Sequence, residues 1–189
     1  MINEIKRERA LLPYLHNTIE DSGISVSIDP KLEKSDYAAI KVDDYFSGLH
    51  LGITPKAVDY IVVVNCECDW YSMYILEFKN VSTPSNLVIR DIHEKFENTI
   101  SIFLEDHFSD IFLNDRYKYR SVKLFLVSDV YNETGKYKNH AEYIAFKDRI
   151  NSHDSLKVDF QLSSKLFRFR GKIYKVCYDI PPNPVISKS

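Results

Sequence analysis

The chain is short of the residues on which several kinds of protein depend. Its 189 residues include three cysteines, Cys66, Cys68 and Cys177, an odd number that builds no disulfide framework and points to a reducing, cytoplasmic setting. Cys66-x-Cys68 has no second pair with which to complete a four-ligand zinc site. Five glycines leave no Gly-rich phosphate loop, and there is no serine or cysteine nucleophile elbow. No apolar run reaches membrane-spanning length and the first residues hold no apolar signal core, so no membrane partner is expected. Excess positive charge is missing too. A net charge of −2 excludes a histone-like or tail-driven nucleic-acid binder, but it leaves room for a local basic cleft. Internal repeats and low-complexity segments are also absent.

What the chain has instead is apolar bulk, 44% hydrophobic and 13% aromatic, enough for one compact domain over residues 1–189. The most informative stretch is Val58–Lys79. Two β-prone runs, Val58–Asn65 and Tyr71–Lys79, flank the polar Cys66–Trp70, and the pattern predicts a hairpin with a loop of about five residues. A hairpin symmetric about Cys68 sets Asp59 opposite Glu77, with Lys79 on the same face. Both strands are apolar on both faces, with Ile61, Val63, Met73 and Ile75 on one and Tyr60, Val62, Val64, Tyr74, Leu76 and Phe78 on the other. Such strands are usually central and covered on both sides. Two carboxylates at the end of a covered strand pair repel and lose hydration unless a cation neutralises them. Mg²⁺ takes such oxygen ligands together with water and phosphate, and Lys79 is placed to orient a water or meet phosphate charge. The plainer alternative is a hairpin whose charged ends simply emerge into solvent.

Asp59 followed by Glu77-Phe78-Lys79 resembles the Asp…Glu-x-Lys motif of the PD-(D/E)XK nuclease superfamily, which includes type II restriction endonucleases. In that family the aspartate opens the second core strand and Glu-x-Lys closes the third. The proline that often precedes the aspartate is Val58 here. The resemblance implies a restriction-endonuclease-like α/β fold, a mixed central sheet flanked by helices with its core in residues 1–130. It implies a Mg²⁺-dependent endonuclease, with Mn²⁺ able to substitute, acting on double-stranded DNA as a homodimer. By the same resemblance Asp59 and Glu77 bind metal, the backbone carbonyl of Phe78 completes the shell, and Lys79 activates water. Related nucleases often add a glutamate from the first helix, for which Glu8 and Glu20 are the candidates. A non-catalytic binding or assembly subunit of the same fold is the second reading, and an RNA-processing enzyme the third.

The rest of the chain fits around that motif. Ile5, Leu12, Leu15 and Ile19 predict helix over residues 2–21, broken or kinked at Pro13. Ile24–Ile28 alternates as a first strand; Ser35–Phe46 reads as helix or, over Tyr37–Val42, as strand. A helical stripe over residues 88–108 crosses to a fourth strand at Ser121–Asp129. Beyond a polar loop at residues 131–140 come a short helix at Ala141–Ile150, a strand at Lys157–Leu162, and a hairpin at Leu166–Tyr178 turning near Gly171. Residues 157–180 thus form a C-terminal β-hairpin extension, followed by an extended Pro181-Pro-Asn-Pro tail. Lys165, Arg168, Arg170, Lys172 and Lys175 crowd this hairpin without an acid, which nominates Arg168, Arg170 and Lys172 as DNA-backbone contacts. Charges guarding an edge strand would look the same. If this hairpin holds no DNA, Arg116, Lys118, Arg120 and Lys136 are the next candidates.

Overall fold

Val58–Lys79 lies at the middle of the sheet in a computed structural model that describes residues 1–81, 83–130, 141–142 and 153–188. The strands are β1 (Leu15–His16), β2 (Glu20–Asp21), β3 (Ile24–Ser25), β4 (Tyr37–Lys41), β5 (Tyr60–Glu67), β6 (Trp70–Phe78), β7 (Lys118–Val127), β8 (Leu166–Phe169) and β9 (Lys172–Asp179). Among the described residues seven of them form one mixed sheet in the order β1-β4-β5-β6-β7-β9-β8, and β2 pairs with β3 in a separate ribbon. β4, β5 and β6 form an antiparallel set, whereas β7 is parallel to β6 and β9 parallel to β7. A parallel neighbour needs a crossover. It is supplied by α3 (Ile89–Asn98), which continues as a π-helix over Thr99–His107. The chain is therefore α/β, a mixed seven-stranded sheet with helices.

The two apolar faces of the central strands are buried against different material. Ile61, Val63, Met73 and Ile75 pack under Ile92, Phe96, Ile100 and Phe103 of the crossover helix. Tyr60, Val62, Tyr74, Leu76 and Phe78 meet Ile19, Ile24, Val26 and Ile186 from irregular segments of the chain. Burying both faces explains why β5 and β6 carry almost no polar side chain between their ends. The predicted register holds, with Ile61 opposite Ile75 and Val62 opposite Tyr74.

Several expectations are corrected. The hairpin loop is shorter than five residues: the strands run to Glu67 and from Trp70, with a bulge between Asn65 and Glu67 and Cys68 at φ 49° in the turn. The bulge absorbs the extra residue and leaves Cys68 and Asp69 to close the hairpin. Residues 2–21 do not form one helix. Only α1 (Ile2–Ile5) and a 3₁₀ turn at Leu12–Tyr14 are helical, and Leu15 pairs with Ile40 in the sheet. Pro13 lies in that turn, where its missing N–H stops an α-helix from running through. Ile24–Ile28 is not the first strand of the sheet, since β3 ends at Ser25 and Ile28 makes only an isolated bridge to Ile186. The neighbour of the Asp59 strand is β4, and α2 (Val42–Gly48) follows it directly, so strand and helix divide the segment that was ambiguous. Beyond α4 (Ser109–Phe112) and β7, the expected strand at Lys157–Leu162 is part of α5 (His153–Leu162). Val158 and Leu162, four apart, are both buried while Phe160 between them is 78% exposed, which suits a helical stripe and not an alternating strand. The Leu166–Tyr178 hairpin forms as expected, its turn made by Arg170 and Gly171 at φ 47° and 75°. The Pro181 tail is not free: Asn183 and Ile186 are buried. The loop expected at residues 131–140 and most of the helix expected at Ala141–Ile150 lie outside the described residues.

Candidate active site

The sheet delivers one end of β4, β5 and β6 to a single place. Asp59 immediately precedes β5, Glu77 is the penultimate residue of β6, and Lys79 follows that strand. Ile61 faces Ile75 and Tyr60 faces Leu76, so the same register carries on to Asp59 and Glu77. Asp59 is 5% exposed and Glu77 fully buried. The backbone is fixed tightly here. Asp59 Oδ2 accepts the Phe78 N–H at 2.6 Å, and Val42 N–H donates to the Asp59 carbonyl at 2.9 Å. Lys79 N–H donates to the Val127 carbonyl, while the Ser128 hydroxyl donates to the Lys79 carbonyl. Of Phe78, the contact with Asp59 is made by its N–H, so the role expected of its carbonyl gains no contact of its own.

The two carboxylates have different company. Glu77 is enclosed by lysines: Lys95 Nζ of α3 lies 2.7 and 3.0 Å from its two oxygens, and Lys79 Nζ 2.8 Å from Oε1. Burial alone would lower the Lys79 pKa, but the Glu77 carboxylate more than offsets it, and the ammonium is held above its usual value. Asp59 belongs to a second group, in which its carboxylate oxygen lies within 4.8 Å of one each from Asp21 and Asp43. Lys41, almost fully buried, pairs with Asp21, reaches Asp43 at 3.2 Å and lies 3.9 Å from Asp59. Burial, and then repulsion from Glu77, push the Asp59 pKa up to about 7. Burial and then Asp59 likewise raise Asp43. At Asp21 burial works to raise the pKa, but hydrogen bonds from Lys41 and Ser22 outweigh it and hold the carboxyl below its usual value. Four carboxylates thus face three ammonium groups.

Three acidic oxygens in reach of one another are the donor set of a hard divalent ion. Both oxygens of Asp43 lie beside the Lys41 ammonium: Oδ2 accepts its hydrogen bond, and the buried Oδ1, which has no hydrogen-bond donor, stands 3.2 Å from Nζ. Asp59, Asp21 and Asp43, with the Lys41 ammonium beside them, could together hold a metal ion.

The other predicted residues divide. Glu20 is exposed on β2, and the next residue, Asp21, is the one turned into the site, as alternation along a strand requires. Glu8 is not brought here. It accepts the Ala10 N–H and lines a separate cavity with Tyr45 and His107. Arg168 and Lys172 are exposed, but Arg170 is engaged, donating to the carbonyls of Asn114 and Tyr117 at 3.1 and 3.0 Å and to Asp115 at 3.0 Å. Arg170 and Arg168 therefore do not act as a free pair. All three sit near the start of β9, while β9 reaches the Lys79 end of the sheet only at Asp179. Among the next candidates, Arg116, Lys118 and Arg120 belong to that far end too, and Lys136 lies outside the described residues.

Sequence reasoning passed over Asp21, Lys41 and Lys95 as site residues. Asp21 had a signal, since it neighbours the nominated Glu20. Asp43 opens α2 beside Lys41. Comparison with protein-family models, curated proteins and solved structures gives no match.

Proposed function

We propose that this protein is a metal-dependent phosphodiesterase that cleaves double-stranded DNA, built on a restriction-endonuclease-like core. The observation that carries the reading is the meeting of Asp59, Glu77 and Lys79 at one end of paired strands, where oxygens of Asp21, Asp43 and Asp59 lie within 4.8 Å of one another. The order of elements agrees with the Asp…Glu-x-Lys resemblance: an antiparallel β4-β5-β6, a helix, then β7 parallel to β6.

Asp59, Asp21 and Asp43 would hold Mg²⁺ or Mn²⁺. When bound, such an ion lowers the pKa of water and neutralises charge on the phosphate. The chain's own groups do the remainder. Phe78 N–H orients the Asp59 carboxylate, and Glu77 holds the Lys79 and Lys95 ammoniums at the site. Lys79, about a third exposed, is the cation placed to orient the attacking water. A cytoplasmic setting, suggested by three free cysteines, and assembly as a homodimer belong to the same proposal.

One observation favours a second reading, a non-catalytic binding or assembly subunit: Glu77 is fully buried and both its oxygens are occupied by lysines. Supercoiled plasmid separates the two. Nicking or linearisation should require Mg²⁺ or Mn²⁺, stop with a chelator and vanish in Asp59→Ala. Absence of metal-dependent cleavage, together with equal Mn²⁺ binding by parent and variant in calorimetry, would hand the site to the second reading.

A further inference from the structure

At the other end of β6, about 25 Å from Glu77 at the usual rise per residue, lies a cavity of about 250 Å³ with a different chemistry. Its walls are aromatic and its rim is basic. Trp70, Tyr119 and Tyr174 supply rings, and Lys118, Arg170 and Lys172 supply cations. Trp70 is the only tryptophan of the chain and is 45% exposed here, an unusual cost for so large an apolar ring. Lys118 Nζ stands 5.6 Å from the centre of its indole, and Arg170 stands 5.6 Å from that of Tyr119. Lys172 is exposed and has no ion-pair partner among the described residues. The acids nearby are already answered. Asp115 pairs with Arg170, and Asp69 at the hairpin turn lies in the field of Arg116 and the N-terminal ammonium. Arg170 also ties the loop carrying Asp115 to the hairpin turn, so the walls come from three separately held segments.

An exposed indole beside two exposed lysines matches one kind of ligand better than others. A flat π-system stacks on the indole, and a phosphate attached to it meets the lysines. A cationic or purely apolar guest would leave Lys118 and Lys172 unanswered. The volume is below that of a drug-sized site, so one base enters and its phosphate stays at the rim. We propose that this cavity binds a nucleotide unit, its base against Trp70 and its phosphate between Lys118 and Lys172. The site is independent of the carboxylate group and needs no metal.

The single tryptophan makes the test direct. In excess chelator, adenosine 5′-monophosphate and a single-stranded hexanucleotide are titrated against Trp70 fluorescence, with adenosine and inorganic phosphate as controls. Both nucleotides should quench saturably, adenosine should bind at least roughly tenfold more weakly, and phosphate alone should not quench. Lys118→Gln/Lys172→Gln should weaken binding about tenfold without moving the unfolding midpoint, since both side chains are exposed. Trp70→Leu, followed by calorimetry, should lose at least roughly fivefold, the lower range for one stacked base. A hexanucleotide bound ten times more tightly than the mononucleotide identifies a nucleic-acid strand as the source; equal binding identifies a free nucleotide. No saturable quenching by either, or a double lysine variant that binds as tightly as the parent, overturns the proposal. Because the chelator removes any cleavage, a failed plasmid assay and a failed titration remain separate results.

Discussion

Asp59 sits where opposing effects pull against one another. Burial and Glu77 favour its protonated form, while Lys95, the Phe78 N–H and Lys41 favour the charged one, and the balance leaves its pKa at about 7. The direction of the stability effect follows. Below the usual carboxyl value near pH 4 both folded and unfolded chains carry the proton, and Asp59 makes no pH-dependent difference. As the pH rises toward 7 the unfolded chain loses its proton first, so unfolding releases a proton and native stability falls; above 7 the loss is complete. A gap of about three pH units corresponds to about 4 kcal/mol. Asp59→Asn removes the charge yet keeps an oxygen for the Phe78 N–H. The variant should be more stable than the parent by about 2–4 kcal/mol at pH 8, with the difference shrinking to near zero at pH 4. Urea unfolding at the two pH values measures it. A variant no more stable than the parent at pH 8 would mean that Asp59 is not crowded as described. Lys41, which spans Asp21, Asp43 and Asp59 from a buried position, offsets part of this charge.

Among the elements, the C-terminal hairpin shows how identical side chains part company. Phe167 and Phe169 are buried and Arg168 is exposed, so the alternation along β8 is as its sequence suggests. Arg170 follows the strand, at the turn, where a positive φ swings it onto the loop after α4. Arg170→Ala should destabilise by about 2 kcal/mol, because two buried-side carbonyls lose a charged donor. Arg168→Ala should stay within about 0.5 kcal/mol of the parent. Denaturant midpoints for the pair distinguish these outcomes, and equal midpoints would show the Arg170 contacts to be idle. This is a case of what the sequence made legible and what it did not. Period-two patterning located β5, β6, β7 and the β8–β9 hairpin, because their apolar runs are long and their faces distinct. The same pattern misled at Lys157–Leu162, where Val158, Phe160 and Leu162 alternate by accident on a helix. At the site Asp59, Glu77 and Lys79 were legible because hairpin register is a local property. Asp21 and Lys41 were not, because a β2–β3 ribbon of two-residue strands has too little sequence to announce itself.

At the scale of the whole molecule, the described residues cover one side of the sheet with helices and the other with the β2–β3 ribbon and irregular chain. Ser27 N–H donates to the Pro182 carbonyl, Ile186 N–H to that of Ser27, and Asp29 N–H to that of Ile186. Ile186 itself is fully buried against the second apolar face. Ile186→Ala should cost about 2–4 kcal/mol, as for other buried large-to-small changes. Thermal or urea unfolding tests it; a loss below about 0.5 kcal/mol would mean that the segment lies on the sheet without supporting it. None of this was visible in a stretch that reads as Pro181-Pro-Asn-Pro and little else.

That closure also sets a timetable. Tyr74 meets Ser187 across 113 residues, and Ser27 and Asp29 make backbone hydrogen bonds with that same late segment. Joining such distant stretches is slow, because the loop entropy must be met before the contact rewards it. The hairpin that brings Asp59 to Glu77, by contrast, closes locally. The Asp59–Glu77 pair is therefore aligned by a local hairpin, whereas the cover over the second face of the sheet is finished only when the end of the chain arrives.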